Sequence, residues 1–218
     1  MSAGPTSPFS PLETLEALIR ARLHPLEAYD PVERRVRSDR QLSPEGWAKP
    51  TGPLQPAAVL IPLVEHEDGL TVLLTRRADG MRRHSGQVAF PGGRADPGEA
   101  PWDTAVREAQ EEIGLDPSHV RLAGLTDAYE TVTGFSITPV VGFVRPGFQL
   151  TLQAAEVAEV FEAPFAYVMD PANHERRSRD FGDGMSRQFF AIEHGDRLIW
   201  GATAGMLRML YERLFAEE

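Results

Sequence analysis

Glu108, Glu111 and Glu112 stand at i, i+3 and i+4 within Arg107-Glu108-Ala109-Gln110-Glu111-Glu112. On a helix, at ~100° per residue, they share one face within an arc of roughly 100°. Like charges so placed repel, each pair costing about 0.2–0.5 kcal/mol, and the surrounding stretch Gly93 to Leu115 has no lysine to offset them. Clustered hard oxygens suit Mg²⁺ or Mn²⁺, and a divalent ion removes the repulsion. An acidic, solvated helix face is the plainer alternative. A second group lies just upstream, where Arg76, Arg77, Arg82, Arg83 and His84 crowd together. Arginine forks suit phosphate oxygens, although a solvated basic loop has the same composition. Phe90-Pro91-Gly92-Gly93 then makes a turn. Gly93 allows a close backbone approach, and its carbonyl is a further hard-oxygen donor.

These side chains need elements to hold them. The acidic stretch predicts a helix beginning near Pro101, with Gly114 as its stop. Trp102, Ala105, Val106, Ala109 and Ile113 form its apolar stripe. Upstream, Ala57 to Val64 reads as a buried strand, Asp68-Gly69 as a hairpin turn, and Leu70 to Thr75 as the returning strand. Pro62 inside the first strand points to a sheet edge or a bulge. Val120 to Leu125 and Phe135 to Val144 read as strands, with Glu130 to Gly134 as a polar loop between them. Around Glu156, Glu159 and Glu162 the periodicity fits neither strand nor helix cleanly, and each acid is a candidate extra ligand or base. Pro164 to Met169 suggests a short helix. Arg176 to Asp180 and Arg187 to Ile192 suggest paired strands across Asp183-Gly184, and His194-Gly195-Asp196 a further turn. Thr203 to Phe215 closes the chain as a helix with Met206, Leu207, Leu210, Leu214 and Phe215 inward. At the other end, Met1 to Pro11 reads as a disordered tail and Leu12 to Leu23 as an amphipathic helix. Pro25 to Pro56 is an aperiodic connection with room for a short helix.

Composition narrows the chemistry. The chain has 218 residues, a net charge of −10 and no cysteine. The acidity argues against general nucleic-acid binding, and the lack of cysteine excludes thiolate chemistry and cysteine-held zinc. The six histidines include no pair at ligand spacing, so zinc is not expected. No run of 18 or more apolar residues is present, so no membrane span is expected. The N-terminus lacks the pattern of a secretory signal, which makes a cytoplasmic protein the expectation.

The residues Gly93, Glu99, Arg107, Glu108, Glu111, Glu112, Gly114 and Leu115 fit the pattern Gly-x5-Glu-x7-Arg-Glu-U-x-Glu-Glu-x-Gly-U, where U is a bulky aliphatic. This resembles the Nudix box. Ala109 is the one departure, small where a larger aliphatic is usual, and it concerns packing rather than chemistry. Leu73, Leu74, Thr75, Arg77, Ala78, Arg82, Gly86, Phe90, Pro91, Gly92 and Gly93 match the signature that precedes the box in coenzyme A pyrophosphatases. The resemblance implies an α/β/α sandwich with a mixed sheet and the Nudix loop-helix-loop, an α/β (α+β) fold carrying here an N-terminal helical extension. The expected organisation is a tail over 1–11, a helix and connection over 12–56 packed on the main body, and the hydrolase domain over 57–218.

The implied activity is Mg²⁺- or Mn²⁺-dependent hydrolysis of the diphosphate of coenzyme A or its derivatives. ADP-ribose, NADH or nucleoside triphosphates are alternative substrates, and a nucleotide-sensing module is the non-enzymatic alternative. Glu108, Glu112, Glu111 and the Gly93 carbonyl are the expected metal ligands. Glu111, Glu108 and Arg107 are the expected catalytic residues, with Glu111 open as ligand or base and Arg107 pairing with Glu111 or Glu99. Arg77, Arg82, Arg76, Gly86 and Phe90 are the expected substrate contacts. The expected partner is a small molecule, with no nucleic acid and no membrane, on a monomer or homodimer.

Overall fold

A computed structural model describes residues 11–32, 34–43, 52–80, 85–180, 182 and 184–216. Its elements run α1 (Pro11–Arg22), β1 (Val36–Arg37), β2 (Gln55–His66), β3 (Gly69–Arg77), β4 (Val88–Ala89), β5 (Gly92–Arg94) and α2 (Pro101–Ile113). They continue β6 (Val120–Leu125), β7 (Ala128–Glu130), β8 (Phe135–Val144), β9 (Val157–Pro164) and α3 (Phe165–Val168). β10 (Glu175–Asp180), β11 (Ser186–His194), β12 (Arg197–Trp200) and α4 (Ala202–Phe215) complete the chain. Residues 1–10 of the expected tail and the Asp183 half of one turn fall outside the described residues, while Pro11, expected in the tail, opens α1.

β2 is the axis of the molecule. It pairs in parallel with β8 from Gln55↔Phe135 to Val64↔Val144. On its other flank it changes partner. Ala57 to Val59 pair with β5, and Leu63 to His66 pair with β3. β3 continues the sheet to β4 and β9, while β6 and β7 line β8 and β1 adds in parallel to β7. The result is a mixed sheet. Strands buried on both faces need an almost continuous apolar run, and alternate residues of β2 serve opposite layers. Ala58, Leu60 and Val64 pack with Ala105, Ala109 and Ile113 of α2. Val59, Ile61 and Leu63 pack with α4 and with Ile19 and Leu23 of the N-terminal region. The three layers are therefore α2, the sheet, and α1 with α4. A second sheet, β10-β11-β12, lies beside α4.

Several expectations need correction. Pro62 marks neither an edge nor a bulge, since β2 is central and Pro62 stays in register with Gly142. The Leu60 N–H donates to Pro91 O across the β5 flank. Two residues on, the missing proline N–H falls where β5 has ended and β3 has not begun, so no ladder bond is lost. Phe215 is 39% exposed rather than inward, held by ring contacts with Phe165 and Tyr211. Val106 and Trp102 are half-buried, and the deeply buried side of α2 includes Thr104 and Glu112. The connection before β2 contains β1 and two short 3₁₀ turns, and the loop expected from Glu130 begins within β7. Glu156 precedes β9, which resolves that stretch as a strand.

Candidate active site

α2 starts on Pro101 after an extended Ala100 and stops at Gly114, whose φ of 70° is left-handed, a conformation that glycine adopts without steric cost. The helix lies with its acidic face toward β5. A Cβ added to Gly93 would stand 2.5 Å from the Glu108 carboxylate, and one on Gly92 would stand 2.5 Å from Ala58 O. Both positions need glycine because carboxylate and strand press against the backbone from opposite sides.

Glu112 is 5% exposed. Its Oε2 accepts the Gly92 N–H at 3.0 Å, and its Oε1 lies 4.0 Å from Arg77 Nη1. Burial pushes its pKa up to about 7; the Gly92 bond and Arg77 oppose this, and the charges of Glu108 and Glu156 add to it. Burial also raises Glu108, against the pull of Arg107. Glu111 is on the outer side of the cluster, with its side chain 61% exposed.

Arg107 holds this group together. Its Nε and Nη2 donate to the two oxygens of Glu99 at 2.9 and 3.0 Å, and its Nη1 reaches Glu108 at 2.9 Å and Glu111 at 3.2 Å. Nη2 also donates to Arg94 O. Both pairings left open by the sequence are thus made at once. The Arg107 fork lowers the Glu99 pKa to about 2, helped by the Asp96 N–H and the Thr104 hydroxyl. Buried Thr104 had no signal in the sequence beyond its place one turn before Glu108.

Of the three downstream acids, Glu156 alone is close enough to perturb both Glu108 and Glu112. Glu159 pairs with Arg76 and Arg197, and Glu162 accepts from Thr71 and contacts His66 Nε2 at 2.5 Å. Among the expected substrate contacts, Arg77 faces Glu112. Arg76 faces the opposite side of the sheet, Gly86 sits at the β3–β4 hairpin, and Phe90 is 3% exposed within the core. Arg82 lies outside the described residues.

The donor set fits a divalent ion. A buried carboxylate with one strong partner is costly to ionise, and a cation beside it repays that cost. Among the described residues no three His, Cys, Asp or Glu side chains stand where they could hold an ion together, so Glu108, Glu111 and Glu112 do not form a three-carboxylate site in this arrangement. Mg²⁺ retains waters and shares substrate phosphates, so an open pair of carboxylates is the arrangement it takes.

A family model described as the NUDIX domain matches residues 53–183, more than half of the chain. The chain belongs to the Nudix family. A Nudix hydrolase NudL of Enterobacter sp. (strain 638), itself uncharacterized, is 42% identical over 163 residues, covering 71% of this chain and 80% of that protein. A second NudL, of Pectobacterium atrosepticum, is 37% identical and covers 80% and 90% respectively. A solved Nudix hydrolase of M. smegmatis, RenU, is 25% identical over 57% of this chain and 82% of its own, with a TM-score of 0.46. The protein is therefore a Nudix pyrophosphohydrolase in which every charged position of the Nudix box is present. No described helix is long and apolar enough to cross a membrane.

Proposed function

We propose that this Nudix hydrolase cleaves the diphosphate of coenzyme A or a derivative, giving adenosine 3′,5′-bisphosphate and 4′-phosphopantetheine. The observation that carries the reading is the position of Arg77. This residue belongs to the coenzyme A-type signature, and its guanidinium stands 4.0 Å from buried Glu112 of the box. The two motifs therefore meet at one point.

Glu108 and Glu112 hold the divalent ion, with the Gly93 carbonyl as a further oxygen donor. When bound, Mg²⁺ or Mn²⁺ offsets phosphate charge and acidifies water. Arg77 binds a diphosphate oxygen and orients the anhydride. Arg107 acts on the carboxylates rather than on substrate, fixing Glu108 and Glu111 against Glu99. The attacking water gives its proton to a carboxylate, and in this reading Glu111 or Glu156 accepts it, Glu111 by its place on the box and Glu156 because its charge is felt by Glu108 and Glu112. Water adds to one phosphorus, the bridging oxygen leaves with the other, and two phosphomonoesters result. Arg82 contributes to the 3′-phosphate in this reading, so Arg82→Ala raises KM for coenzyme A more than for dephospho-coenzyme A.

The test is a Mg²⁺-dependent assay on coenzyme A, ADP-ribose, NADH and ATP, with products identified by mass and Glu112→Gln as control. Coenzyme A turned over with the highest kcat/KM supports the proposal. Preference for any other member of the panel, or full turnover by Glu112→Gln, defeats it.

A further inference from the structure

The buried residues of α2 are Pro101, Thr104, Ala105, Ala109, Glu112 and Ile113. Two of them are polar. Glu112 belongs to the acid cluster, and Thr104, 0% exposed, has no part in the chemistry so far described. A β-branched side chain has few χ1 choices in a helix, and this one is enclosed, so the core fixes where its oxygen lies. That oxygen is 2.8 Å from Glu99 Oε2 and 3.3 Å from Ala100 O. A hydroxyl has one proton to give, and the nearer, charged oxygen takes it.

Glu99 has three partners. Arg107 donates Nε–H to its Oε1 and Nη2–H to its Oε2, the Asp96 N–H reaches Oε2 at 3.0 Å, and the Thr104 hydroxyl reaches the same oxygen. They are unequal as anchors. Asp96 is exposed, as are Pro97 and Gly98 after it, and the Arg107 side chain is itself 28% exposed. Thr104 is the partner rooted in the core. Arg107 carries the fixed position onward, since the same guanidinium reaches Glu108 at 2.9 Å and Glu111 at 3.2 Å. The order of these two carboxylates therefore runs back through Arg107 and Glu99 to one buried hydroxyl.

We propose that Thr104 is a positioning residue of the hydrolase. Its hydroxyl sets Glu99, Glu99 sets Arg107, and Arg107 presents Glu108 to the divalent ion. The proposal rests on the reading of Glu108 as a metal ligand and adds to it the group that steadies that ligand's support. Thr104→Val keeps the shape and removes the hydroxyl, whereas Thr104→Ser keeps the hydroxyl and removes the methyl. Thr104→Ala, which also lacks the hydroxyl, replaces Thr104→Val if circular dichroism melts show that the latter does not fold. The Arg107 Nε–H signal in nuclear magnetic resonance spectra of the metal-free protein, assigned by Arg107→Lys, reads the order of the guanidinium independently of turnover.

In Thr104→Val the Arg107 Nε–H is expected to exchange with water faster than in the unsubstituted protein. Mn²⁺ affinity, read by electron paramagnetic resonance, and kcat both fall about tenfold, as for loss of a group that orients a metal ligand from behind. KM changes much less, because no substrate contact is removed. Thr104→Ser restores the exchange rate, the affinity and kcat. A role in packing alone predicts the reverse order, with Thr104→Ser impaired and Thr104→Val normal, and that result overturns the proposal. Full Mn²⁺ affinity and an ordered Arg107 in Thr104→Val also overturn it, when Glu108→Gln weakens Mn²⁺ binding in the same assay. Unaltered Mn²⁺ affinity in Glu108→Gln is a different failure: it defeats the ligand reading itself, and the proposal with it.

Discussion

The α-carbon of Gly93 faces the Glu108 carboxylate so closely that a methyl group there would stand 2.5 Å from it. The expected result of Gly93→Ala is displacement of that carboxylate. Overpacking of this kind costs about 1–3 kcal/mol, and misplacing a reacting group by an ångström costs about 100-fold in rate. Thermal melts and turnover on coenzyme A measure the two effects. A variant of undiminished activity contradicts the placement of Glu108.

Glu112→Gln is expected to separate stability from activity. The amide keeps an acceptor for the Gly92 N–H and removes a buried charge that burial already disfavours. The metal-free variant therefore melts higher than the unsubstituted protein. Turnover falls roughly a thousandfold or more, because several kcal/mol of charge stabilisation are lost. Calorimetry without metal and an assay with Mg²⁺ test both halves.

Arg107→Lys keeps the charge and loses the fork. A single ammonium cannot reach both oxygens of Glu99 together with Glu108 and Glu111. Mn²⁺ affinity, read by electron paramagnetic resonance, is expected to fall about ten- to a hundredfold. The Glu99 pKa lies at about 2, below its ordinary 4.5. The stability from this pair is therefore present above pH 4.5 and lost as pH falls through the folded value. Glu99→Gln should flatten that acid limb in denaturation curves.

Glu156→Gln is expected to weaken Mn²⁺ binding and lower turnover, since Glu156 alone of the three downstream acids is felt by both Glu108 and Glu112. Glu159→Gln and Glu162→Gln should leave Mn²⁺ affinity within twofold, as their carboxylates are engaged elsewhere. Equal losses in all three variants would remove the special place of Glu156.

Asp39 sets a different pH dependence. It accepts the Tyr129 hydroxyl at 2.8 Å, and burial raises its pKa from 3.8 to about 6. Between those values the folded chain holds a proton that the unfolded chain has released, so this group makes stability fall as pH rises through the window. Asp39→Asn should abolish that decline. Urea denaturation across the window checks it, and an unchanged slope rules the residue out.

The acidic helix was legible because its chemistry is local. Three glutamates, an arginine and two glycines fall in place once the period of 3.6 and the stop at Gly114 are recognised. Strands were legible where apolar runs ended in clear turns, as between β2 and β3, although the turn is Glu67-Asp68, one residue before the expected Asp68-Gly69, because Gly69 already pairs with His66. The misreadings have a shared cause. Pro62 and Phe215 each obeyed a local rule that a distant partner overrode: the change from β5 to β3 beside β2, and the rings of Phe165 and Tyr211. β1 was illegible because two residues carry no period.

By itself, the sequence determined which groups take part: the spaced glutamates, the arginines before them and the glycines between, since these depend on residue type and on separation along one short stretch. Tertiary structure alone decided their unequal roles. It buried Glu112 and exposed Glu111, and brought Glu156 to the cluster while diverting Glu159 and Glu162. Those outcomes depend on desolvation and on charges from distant parts of the chain, and neither is a function of spacing.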